Sequence, residues 1–413
     1  MDSRGTFEKI LNGLRTQAGE ATFHRADAGP VAVCNSWSSA HYALALLPLD
    51  PRRAAAELQS VYRLCSQPDG LLALERVIDP ELCAERAAAL GEIYRPDGTS
   101  LVIGPPTAAY AAARVAGALG AEARDLLEMA SAHLDAIWGE RLPPDTPLPV
   151  ILHPLEAGAY GSPIFDEVIE STDAREWIEE TGTLVRSAAA CRMDPDRALR
   201  AGHPFVVEDP IFCGWLLLAL EAAARAWEGL GGAETQVTKL RIRVEMIARG
   251  ILDRLWWSGE EIFVAVDRAR QRPLRAVTMG GLVPAACRSV IEEGEAKQAI
   301  DRHLRPGVSP LWGNRGVSFN PIARDVGLDL DQVRWRGNAI SPLTHFWAHL
   351  ALMNARRPAD ARAARTQIEE LVETAGSWEF YDAITGKGYG AGGEAGHGGS
   401  ALALDMESRE EAP

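Results

Sequence analysis

Lysine is nearly missing from this 413-residue chain: only Lys9, Lys239, Lys297 and Lys387 occur, and Arg supplies the rest of the 42 basic residues against 57 acidic ones. The formal charge of −15 repels phosphate backbones, and no Lys/Arg cluster interleaved with aromatics offsets it. Nucleic acid and anionic membrane surfaces are therefore poor partners. Paired cysteines are missing too. Cys34, Cys65, Cys83, Cys191, Cys213 and Cys287 show no CxxC or CxxH spacing, which predicts buried reduced thiols rather than disulfides or a zinc site. No run of about 18 apolar residues is evident, and the opening residues lack the basic-then-apolar pattern of a secretion signal, so the chain reads as cytoplasmic. No repeat of roughly 34–47 residues recurs, which argues against an open solenoid of helix pairs. The run GKGYGAGGEAGHGG has no strand before it and no GK[ST] after it, so it is not a phosphate loop; its glycines predict a mobile or tightly turned lid.

What is present is a soluble composition, 47% apolar and 24% charged, enough to build a large core. Helical periodicity dominates it. Asp before Pro, a strong helix-start signal, occurs at Asp50, Asp79, Asp194 and Asp209. Helices are predicted at 107–119, 122–142, 174–191, 210–230, 234–256, 282–292, 295–304, 341–354 and 358–375, besides those near the N-terminus and a short apolar one at SALALDM. Only SGEEIFVAVD (258–267) reads as a strand or small hairpin. About a dozen helices paired through short connections, without βαβ alternation, predict an all-α fold, an (α/α)6 barrel with one minor hairpin. Residues 1–30 read as an entry segment, 31–405 as the barrel and 406–413 as a charged tail.

Such a toroid gathers its irregular loops, 31–41, 151–166, 311–340 and 378–400, at one mouth. The stretch ILHPLEAGAYGSPIFD sets His153, Glu156, Tyr160 and Asp166 beside the breakers Pro154, Gly158 and Pro163, which predicts a functional loop or, more simply, a connection whose polar groups cap helices.

Six signposts in order, NSWSSAHYALALLPLDP, QPDG, HPLEAGAYGSPIFD, VEDPIF, WRGN and EFYDAITGKGYG, resemble the (α/α)6-barrel glycosidases around glycoside hydrolase family 63, which include mannosylglycerate and glucosylglycerate hydrolases. The resemblance implies a small-molecule substrate; no two His fall at a ligand spacing together with a helical Glu, since His345 and His349 lack such a partner, so no metal is expected, and no cofactor either. The resemblance also implies departures. The family's catalytic Asp in HPxESGxDNSP is matched by Tyr160, the Asp of its WD motif by Ser38 after Trp37, and Pro and Trp of WRGPxW by Asn338 and Ile340. Its FSW becomes Gly396-His397-Gly398. The general-base position of the EYxxP motif is kept as Glu379, with Glu394 as a second candidate.

An inverting glycosidase needs an acid and a base carboxyl roughly 6.5–9.5 Å apart. With Tyr160 in the acid position, Glu156 could take over if the loop has shifted and burial raises its pKa; Tyr160 is itself a weak donor, since a phenol titrates at about 10, or a pocket-lining aromatic. His41, His153, His345 and His397 lie on the mouth segments, and a His paired with a carboxylate moves protons near neutral pH; each can equally serve an ordinary hydrogen bond. Arg336, after Trp335, either grips a carboxylate or phosphate or holds its loop through a salt bridge. Trp37, Ser38, His41, His153, Asp166, Trp335, Arg336, Asn338 and His345 are the expected substrate contacts, and Glu379, Glu156, Tyr160, Glu394 and His397 the expected catalytic set. These changes favour an enzyme that has drifted from hydrolysis to isomerisation, dehydration or cyclisation of a sugar-like compound or specialised metabolite. A glycosidase with a relocated acid and a silent ligand-binding protein are the alternatives.

Overall fold

Each Asp-Pro pair opens a helical segment by the same device: proline fixes the first helical φ while the aspartate accepts backbone N–H groups that the first turn leaves unpaired. Asp50 accepts from Arg52 at 3.0 Å and Arg53 at 3.1 Å, Asp194 from Arg197 at 3.0 Å and Asp209 from Phe212 at 2.8 Å. Asp79 accepts from Glu81 at 3.0 Å and opens a 3-10 turn, Pro80–Leu82, that runs directly into the helix Cys83–Leu90. The structure is a computed structural model; it describes residues 3–411 except 26–30, 91–92, 170–173, 293, 324–334 and 394–395.

In chain order the helices are α1 (Ser3–Leu14), α2 (Ser36–Leu46), α3 (Pro51–Cys65), α4 (Cys83–Leu90), α5 (Thr107–Leu119), α6 (Arg124–Glu140), α7 (Ala174–Ala190), α8 (Pro195–Arg200), α9 (Pro210–Gly229), α10 (Glu234–Leu255), α11 (Arg288–Ile291), α12 (Gly294–His303), α13 (Pro342–Asn354), α14 (Pro358–Ala375) and α15 (Leu402–Glu411). They form an (α/α)6 barrel. The inner ring runs α2, α5, α9, the segment 279–291, α13 and the segment 398–411; the outer ring is α3, α6, α10, α12, α14 and α1. The last inner segment packs on α2 and on α1, so the ring closes between the beginning and the end of the chain.

Burial explains which helix goes where. The outer helix α3 buries Leu58, Val61, Tyr62 and Cys65 and turns its arginines outward, an amphipathic stripe. The inner helix α9 is buried all round from Pro210 to Ala224 and has no polar face to show. It is also long and apolar enough to cross a membrane, but 94% of its apolar window lies inside the barrel. All six cysteines are free; five are buried and Cys83 is partly exposed.

Three local expectations need correction. The predicted helix 282–292 is a 3-10 segment, Met279–Ala286, followed by α11, because Pro284 supplies no N–H to continue an α-helical ladder. Sheet is more frequent than one hairpin: among the described residues five small antiparallel sheets brace the loops, including Arg15–Ala18 with Ala21–His24 and Val33–Asn35 with Glu75–Val77. The glycine-rich run is not simply a lid. Gly388–Gly393 is a strand paired with Ser377–Asp382, which pairs in turn with Ala339–Ile340. Glycine is required there because a Cβ on Gly388 would lie 1.9 Å from Trp378 Cδ1 across the pair. Residues 406–411 continue α15, and Glu410 ties that last turn down by accepting from Arg365 at 3.0 Å and bonding His349 at 3.2 Å.

The Asp209 cap is buried and its Oδ2 has no partner. Burial pushes its carboxyl up to about 7, against the smaller opposing effect of the Phe212 and Ile211 N–H groups. A folded pKa above the unfolded one means the group disfavours the fold increasingly as pH rises from the ordinary carboxylate value to about 7. Asp209→Asn keeps the cap and removes the charge. Its melting temperature relative to the unchanged protein should therefore climb between pH 4 and 7; a difference that stays flat across that window would refute the assignment.

Candidate active site

The mouth is assembled from four segments. On the first, the Asn35 side chain caps α2 by accepting from Ser38 N–H at 2.9 Å, which sets Trp37, Ser38 and His41 along the opening turns of an inner helix. The second is the 151–166 loop. Its breakers leave backbone amides without helical partners, and the two polar residues beside them fill the gap. His153 Nδ1 accepts from Leu155 N–H at 3.2 Å while Nε2 donates to the Thr181 carbonyl at 3.1 Å. Glu156, fully buried, accepts from Arg141 at 2.7 Å, Leu152 N–H at 2.8 Å and Ile103 N–H at 3.2 Å. So anchored, the loop brings Gly158 against Trp37. Its φ of 76° suits glycine, and a Cβ there would meet Trp37 Cζ2 at 2.8 Å.

The third segment is the WRG turn. Arg336 makes a two-pronged ion pair with Asp166, one contact at 2.8 Å, which ties this turn to the end of the 151–166 loop. Asn338 exchanges bonds with the Ala323 backbone at 2.8 and 2.9 Å. Trp335 sits edge-on to Phe319 and Phe380 and stacks on Trp347. The fourth segment supplies Glu379, whose Oε2 accepts from Ala391 N–H at 3.2 Å, and His397 at the entry to the last inner segment.

These segments enclose a cavity of about 140 Å³. Trp37, Ser38, His41, Tyr160, Trp335, Glu379 and His397 all line it. Glu156, His153, Asp166, Arg336, Asn338 and His345 do not. His345 is buried, with Nε2 accepting from Val317 N–H at 3.1 Å and Nδ1 bonded to the Ser341 carbonyl at 3.1 Å. Glu394 lies outside the described residues. A larger groove of about 1090 Å³ beside α14, whose lining includes Glu370 and Arg315, contains none of the predicted residues; they gather in the smaller one. Among the described residues no three His, Cys, Asp or Glu side chains are grouped to hold a metal ion.

One wall of the cavity was not foreseen. Glu75, fully buried, takes Arg86 in bidentate fashion at 2.9 and 3.0 Å, the Tyr94 hydroxyl, and the Asn35 amide at 3.1 Å. Burial pushes this carboxyl up, but Arg86 and the hydrogen bonds overcome that and hold it below the ordinary carboxylate range. Nothing in the spacing of Asn35, Glu75, Arg86 and Tyr94 announces the cluster; the only cue is Asn35 just ahead of a helix. Arg86 also lies near enough to Tyr160 for their charges to interact. His41 is 2% exposed, and burial pushes its imidazole down to about 3 despite a bond to the Trp37 backbone.

The Glu156–Arg141 pair has no exposed atom on either side chain. Arg141→Met leaves the carboxylate without its cation, and urea unfolding should record a loss of about 3–5 kcal/mol; a loss below about 1 kcal/mol would mean that the amides alone hold Glu156.

The family described as the mannosylglycerate hydrolase MGH1-like glycoside hydrolase domain matches residues 33–398. A mannosylglycerate hydrolase of Rubrobacter radiotolerans is 26% identical over 393 residues, which cover 86% of this chain and 87% of that protein. An uncharacterized conserved protein from Thermus thermophilus has the same fold, with a TM-score of 0.80 at 21% identity over 98% of this chain and 100% of that one. A GH63 mannosylglycerate hydrolase from the same organism, solved with glucose, gives 0.77 at 21% identity over 98% and 99%. A D-mannose isomerase matches more distantly, at 0.56 and 11% identity over 98% and 97%, a likeness of fold alone. With the profile spanning nearly all of the barrel, the chain belongs to the MGH1-like glycoside hydrolase family.

Proposed function

We propose that this family member performs acid/base chemistry other than glycoside hydrolysis on a small polyhydroxylated compound, such as a sugar or a specialised metabolite, with Glu379 as proton acceptor. The observation that carries this reading is the state of the carboxylates lining the cavity. Among the described lining residues there are two, and Glu75 is held ionised by four hydrogen bonds, so it has no proton to give. Among the described residues, that leaves Glu379 without a carboxylic acid in the cavity wall to pair with. Glu156, buried outside the cavity on Arg141 and two amides, is badly placed to take over. Isomerisation, dehydration and cyclisation need a base and a modest proton carrier rather than a strong acid for an alkoxide leaving group. Tyr160 beside Arg86, or His397, is positioned to be that carrier. The D-mannose isomerase likeness supports the idea that this barrel can host such a reaction.

Hydrolysis of a glycosyl-glycerate is the second reading. It is favoured by the Rubrobacter relative and by the Thermus structures with glucose and with D-glycerate.

Proton abstraction from carbon leaves a mark that hydrolysis does not. Incubation with aldoses, ketoses and deoxy-sugars in D2O should place solvent deuterium on a substrate carbon, and Glu379→Gln should slow this by roughly 10²–10⁴-fold with little change in melting temperature. Brisk release of mannose or glucose from mannosylglycerate or glucosylglycerate by the unmodified protein, with no exchange in any sugar, would overturn the proposal in favour of the hydrolase.

A further inference from the structure

Among the described residues four large apolar side chains stand exposed, and two of them, Ile242 at 52% and Met246 at 41%, lie one turn apart on the outer helix α10. The inward face of that helix is spent on the barrel, where Leu240, Ile247, Ile251 and Leu255 are buried. On the opposite face the exposed positions recur as Thr235, Thr238, Ile242, Glu245 and Arg249. Steps of three and four residues make this a second, outward stripe with its apolar part at the centre.

Beside the stripe lies a groove of about 530 Å³, formed by Trp138 of α6 with Thr235, Thr238, Lys239 and Ile242 of α10. Its side is fixed: the Arg243 guanidinium stacks 4.6 Å over the Trp138 ring, and Asp135 engages both Arg243 and Lys239, the latter at 2.9 Å. One helix therefore carries a knob and a hole on either side of Ile242. Met246 comes one turn after it, and the groove, whose α10 residues run from Glu234 to Arg243, is centred about one turn before it. A surface of that kind fits a copy of itself across a two-fold axis, because such a contact pairs residue i with j and j with i. With two α10 helices laid antiparallel and crossing at Ile242, the partner's Met246 comes level with Thr238 and over the groove. Methionine, unbranched and polarizable, suits an irregular slot beside an indole ring.

The charges obey the same reversal. Helical geometry sets Glu234, Arg241, Glu245 and Arg249 along one flank of the stripe. In the antiparallel arrangement Glu234 comes level with the partner's Arg249 and Arg241 with the partner's Glu245, each to within one turn. Glu234, Glu245 and Arg249 have no side-chain partner among the described residues, whereas Arg241 meets Glu228. Opposite charges at matching distances from an apolar centre are what self-association needs, since like charges there would repel.

We propose that the chain pairs with a second copy of itself through α10, the two helices antiparallel about Ile242 and each Met246 seated in the other copy's groove beside Trp138. None of these residues lines the mouth cavity, so the contact is separate from the substrate site. A helix of 22 residues is about 33 Å long, which gives an interface at the lower end of the specific range and a dissociation constant on the order of 1–100 μM.

Sedimentation velocity on the full chain, from about 1 to 300 μM, should show monomer passing to dimer, with weaker association as salt is raised. Ile242→Arg sets two guanidinium groups against each other at the axis and should weaken the dimer at least about tenfold, leaving the circular dichroism spectrum unchanged because the side chain is exposed. Glu234→Arg and Arg249→Glu should each weaken it by roughly 3- to 10-fold, and the double variant should return to within about twofold of the unchanged protein. The two positions are about 22 Å apart along one helix, too far to answer each other, so recovery reads the contact between copies. A chain that stays monomeric to about 300 μM overturns the proposal. So does a dimer indifferent to Ile242→Arg, which lies on another face, or a double variant as weak as the single ones.

Discussion

The carboxylate of Glu156 joins three pieces of chain that have no ladder in common: the end of α6 through Arg141, the approach to α5 through Ile103, and the start of the mouth loop through Leu152. None of these contacts touches the cavity, yet the cavity depends on them. With the loop fixed at its base, Gly158 can press on Trp37, and Tyr160, two residues on, is delivered to the wall. The Asp166–Arg336 pair then fastens the far end of the same loop to the turn bearing Trp335. A buried ion pair is poor evidence of net stability, because desolvation offsets much of the attraction. Its value here is geometric: it selects one arrangement of a loop whose backbone alone has many.

That same fact explains what was legible in the sequence and what was not. The barrel could be read because its cues are local. Asp-Pro caps, the stripe of α3 and the all-apolar α9 each report one element's place in the ring without reference to any other. The convergence of Trp37, Tyr160, Glu379 and His397 followed from the closed topology. Glu156 and His153 read as chemistry because they are polar residues beside breakers, and the same breakers strip amides of partners and recruit those side chains as acceptors and caps; His345, read from its place on a mouth segment, likewise accepts a loop amide. Telling the two uses apart requires knowing where the orphaned N–H groups point. The Glu75 cluster was illegible for a different reason: its members come from two separate strands, the helix α4 and an irregular stretch, and only the strand pairing of 33–35 with 75–77 brings Asn35 to Glu75.

Charge in the mouth is arranged in two tiers. Arg86 and Glu75 neutralise one another within the wall, as do Arg336 and Asp166 at its rim, so the arginines near the site serve carboxylates of the protein itself. The chain's overall acidity thus has a local counterpart, and the aromatic rings rather than the cations are left to meet what enters. Cavity aromatics are in turn held by second rings: Trp215 and Phe346 behind His41, Trp347 behind Trp335. These edge and stacked contacts fix side-chain orientation without adding polar groups that would compete for a ligand.

The ring closes through α1 and the last inner segment, and His397, the residue that opens that segment, is part of the cavity wall. A chain made from its N-terminus can wind the pairs from α2–α3 to α13–α14 as it emerges, but α1 must wait, its buried face of Phe7, Leu11 and Leu14 uncovered, until the final inner segment arrives. Nascent and C-terminally shortened forms therefore share one exposed apolar stripe and one incomplete wall. The step that completes the site is also the one that removes the surface a chaperone or protease would recognise.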